Sequence, residues 1–337
     1  MTALRKPRQS GGSSPTAQAI PRQEPAGPFG GRPFPLPGFL PVSEGTDDVR
    51  ASIMLCSIAC IIALFRRMSI EIYKKVRFLY NPNAGSGITR LRAGGKMDAF
   101  LDFSIVPGSE RAFGLFSPLH ILWLLAALAA WLLLCRRYRR CTPARRVRMR
   151  RVTAGAALAI ELLRSLLLML AGEYGIGRLP LHLCALAIYI SFLHSLRGGE
   201  LTGQFLYAFC MPGAVCALLF PDWSAYPAFH FMSVSSFTLH ILLVGYTLML
   251  VAGGELRPDT RRAPACLDIM LLIAVPVYVF DRLMGTNYMF LNWPLPGSPL
   301  EWFAFLGRPG YLLGYIPLLA AAWTVIYAPF VKKRRAG

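Results

Sequence analysis

From Phe116 onward the chain alternates between long apolar runs and short polar connectors. The runs cover about 117–135, 152–171, 180–196, 202–220, 228–252, 266–284 and 309–330, and most have the roughly 20-residue length that crosses a hydrocarbon core. In lipid every backbone N–H and C=O must be bonded within the segment, so these runs are expected to be helices. The pattern predicts an all-α polytopic membrane protein, a seven-helix bundle occupying 97–337.

The connectors orient the bundle. CRRYRRCTPARRVRMRR (135–151) carries nine arginines and no acid, and RPDTRR (257–262) and KKRR (332–335) follow the fifth and seventh runs. All three fall on one side, which the excess of Arg and Lys assigns to the cytoplasm. The core then starts outside and ends in the cytoplasm. Loops 172–179, 221–227 and 285–308 face outward with few basic residues. This distribution, and a mean hydropathy of +0.46, changes the meaning of the formal charge of +19. The basic residues flank apolar runs and attract anionic lipid, so no nucleic acid is expected as a partner. The expected location is the cell membrane, and the expected partners are membrane lipids together with a lipid or small-molecule ligand.

Residues 1–50 are rich in Pro, Gly, Ser and Gln and are expected to be disordered. The apolar stretch 51–65 is only fifteen residues long, and no second run before 116 would bring the chain back across. YKKVRFLYNPNAGSG (73–87) resembles the glycine loop that opens the diacylglycerol-kinase family, but no GGDGT-type segment follows. Ala93-Gly94-Gly95-Lys96 precede Met97, and Gly-Gly-Lys codons can spell a ribosome-binding site. Residues 1–96 are therefore expected to be a disordered or spurious extension.

Ionisable groups at membrane depth are costly and point to function. Glu161 and Arg164 stand one turn apart on the second helix, where they can pair or face a ligand. His120, His182 and His230 open the first, third and fifth helices near the outer face. His240 lies ten residues beyond His230, about 15 Å deeper at helical rise. Ser233, Ser236 and His240 follow 3,4 spacing and form one polar stripe. His182 and Cys184 are two apart, so they point to different faces of their helix. A base for Cys184 or Ser236 as nucleophile would be His240, from another helix for the cysteine. Asp281 and Arg282 are expected at the outer interface. The loop 285–311 is aromatic and proline-rich, and reads as an interfacial belt or as a lid, with Asn287 and Tyr288 in a ligand-binding set beside His120, His230, Glu161 and Arg164. No HxxxH or HExxH spacing occurs, so neither a metal nor a cofactor is expected. The eight cysteines contain no CxxC pair, which gives no disulfide framework.

FGLFSPLH (113–120), LPLHLCALAIY (179–189), LFPDW (219–223), FTLH (237–240) and GTNYMFL (285–291) together resemble the YwaF-like bacterial integral membrane proteins. More distantly, the chain is similar to the transmembrane protein 164 family. That resemblance implies a lipid acyltransferase whose membrane cysteine, in an N-P-C-H motif, passes an acyl chain between phospholipids. Pro180 and His182 match the motif and His240 matches a later histidine, while Leu181 stands where the family has cysteine. The resemblance therefore implies catalytic His182 and His240, with Cys184 or Ser236 as substitute nucleophile. Two readings stay open: an intramembrane acyltransferase or hydrolase, and a non-enzymatic carrier or sensor for a small solute or lipid.

Overall fold

The computed structural model describes residues 100–101 and 113–334. The extension 1–96, with its apolar segment and glycine loop, lies outside the described residues. Among these the regular elements are all helical. They are α1 (Pro118–Arg139), α2 (Pro143–Leu170), α3 (Leu183–Arg197), α4, α5 (Phe231–Ala252), α6 (Ala263–Met284) and α7 (Tyr315–Arg334). The α4 segment begins as Glu200–Phe205, passes through a π-turn at Leu206–Cys210 and continues as Met211–Leu219. Six of these are long and apolar enough to cross a membrane. The expected third span is instead a 15-residue helix, about 22 Å long at 1.5 Å per residue.

The arginine-rich stretch 136–151 is helical rather than a loop. α1 runs on to Arg139, and Pro143 starts α2, leaving only Arg140–Thr142 as the turn. Arginine is a good helix former, proline at the first turn loses no hydrogen bond, and long basic side chains reach the headgroups from a helix end.

α5 is the hub of the bundle. Its sequence, FMSVSSFTLHILLVGYTLMLVA, is largely apolar apart from the stripe of Ser233, Ser236 and His240, and 67% of its span is buried inside the protein against 11% for α1 and 17% for α6. α1, α2, α3 and α4 all pack on it. α1 approaches through Gly245, where a Cβ would lie 3.0 Å from Leu134 Cδ2, and Trp131 Nε1 donates to the Ile241 carbonyl at 2.9 Å. The π-turn in α4 has a local cause. Pro212 lacks an N–H and crowds the carbonyl four residues back, which is that of Ala208. That carbonyl accepts instead from the Trp323 indole at 2.8 Å, tying α4 to α7.

At the arginine-rich end, α5 finishes in a Schellman-type turn: Gly254 adopts φ +76° and the Glu255 N–H reaches the Leu250 carbonyl at 3.0 Å. The turn delivers Glu255 to the Tyr138 hydroxyl, which donates to its carboxylate at 2.8 Å. Gly253 lies flat against the buried Tyr138 ring, and a Cβ there would fall 2.6 Å from Tyr138 Cε1. Gly253→Ala is expected to lower stability by about 1–3 kcal/mol through overpacking. Its melting temperature in detergent, compared with that of Gly155→Ala, where a Cβ meets nothing, checks this.

Candidate functional site

The polar site forms where the N-terminus of α3, the middle of α5 and the connectors 176–182, 221–226 and 285–298 come together. His182 is the N-cap of α3. Its Nδ1 accepts the Met289 N–H at 3.2 Å, and its ring stands edge-on to Tyr288, centroids 5.1 Å apart. A backbone N–H can only donate, so Nδ1 holds a lone pair and the neutral ring carries its proton on Nε2. His182 is thereby a hydrogen-bond donor.

His240 is held the opposite way. Its Nδ1 lies 2.7 Å from the Ser236 carbonyl, which can only accept, so the proton is on Nδ1 and Nε2 bears the lone pair. Nε2 is buried with no partner among the described residues, and the ring stacks on Trp223 at 4.8 Å. One histidine is a base without a partner and the other a donor. Both lie in the electrostatic reach of Asp222 and Arg164, as does Cys184.

His182 and Asp222 line a pocket of about 260 Å³, with Asn287, Tyr288, Phe290 and Trp293 on its other walls. The loop that supplies these walls is organised by Asp281. Asp281, in the last turn of α6, is fully enclosed by the protein. Its Oδ1 accepts from Thr286 Oγ1 at 2.6 Å and from the Tyr288 N–H at 3.0 Å. Asn287 bonds within the loop, accepting from the N–H groups of Asn292 and Trp293 and donating to the Trp293 carbonyl. Tyr288 clamps the loop to the approach to His182: its hydroxyl donates to the Ile176 carbonyl at 2.5 Å and accepts the Leu179 N–H at 2.8 Å. Burial holds this hydroxyl well above the ordinary phenol range, so it stays neutral. Met289 and Phe290 both adopt positive φ, 52° and 55°, a strained pair of the kind that gathers at ligand sites.

The remaining candidates are placed as follows. Glu161 and Arg164 form an ion pair at 2.6 Å, the carboxylate buried, so the arginine arrives at the site already partnered. Ser236 meets His240 through its carbonyl. Cys184 sits in the first turn of α3 and packs against the core. His120 accepts from the Phe116 N–H at Nδ1 and bonds the Leu218 carbonyl through Nε2 at 2.8 Å, so its ring secures the α1–α4 contact. His230 caps α5, accepting the Met232 N–H at 3.1 Å, and stacks on Tyr226. His120 and His230 are thus turned to main chain. Asp222, Trp223 and Asp281 were not among the residues expected at the site. The acid between Pro221 and Trp223 at the end of an apolar run was the available signal.

The TMEM164 family model matches residues 115–327. The chain belongs to the TMEM164 family. With its apolar helices it is a multi-pass membrane protein. No curated protein and no solved structure matches it. In this TMEM164 family chain Leu181, just before His182, is buried in an apolar cluster with Val277, Tyr288 and Met289. It contributes packing to the loop clamp and has no nucleophilic atom.

Proposed function

We propose that this TMEM164 family protein cleaves an acyl ester of a membrane phospholipid, with His240 as general base and His182 as oxyanion donor. The observation that carries the reading is the pair of opposed tautomers: a lone pair without a partner on His240 Nε2 and a proton on His182 Nε2. His240 takes the proton of an attacking hydroxyl as its oxygen bonds the acyl carbon. His182 donates to the carbonyl oxygen as charge develops there. The bond from the acyl carbon to the glycerol oxygen then breaks, and the proton on His240 passes to the departing alkoxide. The acceptor is water or the hydroxyl of a lysolipid, which makes the reaction hydrolysis or acyl transfer.

Cys184 is the alternative nucleophile, forming an acyl-enzyme before the acceptor enters. The carrier or sensor reading drew on an outward cluster of three histidines. His120 spends both ring nitrogens on main chain and His230 spends its Nδ1 there, which favours the enzyme. Grouping with the YwaF-like bacterial proteins, seven crossings, the cell membrane as location and a cytoplasmic arginine-rich end belong to the same proposal.

The test is incubation of the purified protein with a defined phospholipid, following lysophospholipid and free fatty acid by mass spectrometry alongside the intact protein mass. Turnover that survives Cys184→Ser and disappears in His182→Ala supports direct attack. An acyl-mass adduct lost in Cys184→Ser assigns the nucleophile to Cys184. Absence of both turnover and adduct in the unaltered protein, with and without added lysolipid, overturns the proposal.

A further inference from the structure

The larger of the two cavities described lies at the arginine-rich end, away from both site histidines. It measures about 520 Å³ and is bounded by Arg150 of α2, His194 and the Gly198–Gly199 turn of α3, Gln204 of α4, and Glu255 and Arg257 beyond α5. Most of its polar lining is already committed. Gln204 spends both ends of its amide on the Arg257 carbonyl and the Asp259 N–H. His194 is fixed through Nδ1 to the Tyr246 hydroxyl at 2.8 Å. Glu255 is neutralised by Arg150 at 2.7 Å, and Glu200 by Arg262 at 3.3 Å on the rim.

One cationic group, Arg257, is left over, and Arg150 keeps donors beyond its pair with Glu255. Arg150 lines the cavity and gives only one terminal nitrogen, Nη1, to Glu255. The exposed Arg257 lines the same cavity and makes no ion pair among the described residues. Arg150 is one of the nine arginines of 136–151, and its neighbour Arg146 donates to the Gly253 carbonyl at 2.9 Å beside the cavity wall at Gly254. A cavity with paired acids, a spare guanidinium and a strongly basic surround selects an anion. Guanidinium groups match phosphate oxygens in planar, bidentate geometry. Basic pockets between helix ends at a membrane surface take lipid headgroups.

We propose that this cavity binds the phosphate of an anionic phospholipid headgroup, with Arg257 and Arg150 as its ligands. The site is distinct from the one built on His182 and His240 and stands without the reaction proposed there. It does share two helices with it: α3 has His182 at its start and α5 has His240 near its middle, and each forms a wall of this cavity at its far end. A lipid held here braces α3 against α5.

The test is native mass spectrometry of the full chain in neutral detergent, titrated with phosphatidylglycerol, with phosphatidylcholine and with inorganic phosphate. Arg257→Gln is expected to weaken phosphatidylglycerol binding about tenfold, the loss of one charge-assisted hydrogen bond pair. The Arg150→Gln/Glu255→Gln double variant, which removes the ion pair without stranding either charge, is expected to weaken it at least as much. Arg145→Gln, an exposed arginine outside the cavity, is expected to leave it unchanged. Competition by inorganic phosphate at comparable concentration identifies a free-phosphate site and overturns the lipid assignment. Equal losses in Arg145→Gln and Arg257→Gln reduce the effect to diffuse attraction and overturn the site. So does phosphatidylcholine binding as tightly as phosphatidylglycerol, or no binding of any probe. The melting temperature of Arg257→Gln, whose side chain holds no other element, reports whether the variant is folded.

Discussion

His240→Gln is expected to reduce phospholipid turnover about 10²–10⁴-fold, the range contributed by a positioned general base. Glutamine keeps an amide near the place of the imidazole and a planar face for Trp223, yet has no basic nitrogen. The wild-type ring is fixed on both counts. Its Nδ1–H is anchored to the Ser236 carbonyl at 2.7 Å, and its face lies against Trp223 at 4.8 Å. These contacts leave Nε2 as the one ring atom with work to do. The comparison that separates chemistry from packing is Trp223→Phe. It preserves an aromatic face and the base, so activity is expected to fall far less than in His240→Gln. Equal loss in the two variants would make the stack, not the base, the important element.

Asp281→Ala is expected to be the most destabilising single change at the site, by about 3 kcal/mol. The carboxylate is fully enclosed and accepts from Thr286 Oγ1 and the Tyr288 N–H. Alanine removes the acceptor and strands both donors in a place that water reaches poorly. The loss should spread along the loop, because Tyr288 carries the clamp to Ile176 and Leu179 and Met289 holds the His182 ring. Asp281→Asn keeps one acceptor oxygen and is expected to retain much of the stability. Melting in detergent gives the order wild type, Asn, Ala. Faster backbone hydrogen exchange at 286–293 in Asp281→Ala, with the helices unchanged, places the damage in the loop. Uniform exchange along α5 and α6 would show instead that the carboxylate supports the bundle.

How much of this was legible in the sequence depends on the range of each contact. The helices were, because apolar runs of crossing length have few other structures open to them. So was the stripe Ser233, Ser236 and His240, since 3,4 spacing is a local property. What spacing cannot say is which atom of Ser236 matters, and it is the carbonyl rather than the hydroxyl. The fates of the histidines were hidden as well. His120 and His182 look alike as helix-opening histidines, yet one is closed off by the Leu218 carbonyl and the other lines a pocket with Nδ1 alone engaged by main chain. The difference is set by the end of α4 for one and by the 285–298 loop for the other, each about a hundred residues away. Asp222 and Asp281 escaped for the same reason, since their value comes from where the bundle folds them. The arginines of 136–151 misled by composition: charge density suggested a loop, and helix propensity prevailed.

The shortness of α3 has a consequence for the membrane. Its 15 residues span about 22 Å, where a hydrocarbon core is about 30 Å thick. With α3 as the seventh crossing proposed above, lipids beside this helix would not keep their full thickness without facing polar ends. The low-cost response is a local dimple, with headgroups and water drawn inward on the side of the deficit. His182 sits at one end of this helix, so on the reaction proposed above the ester carbonyls of neighbouring lipids would be carried toward it by the shape of the bilayer. The protein need not lift a lipid out of the membrane to reach its ester. It can let the surface of the membrane sink to the depth of the histidine.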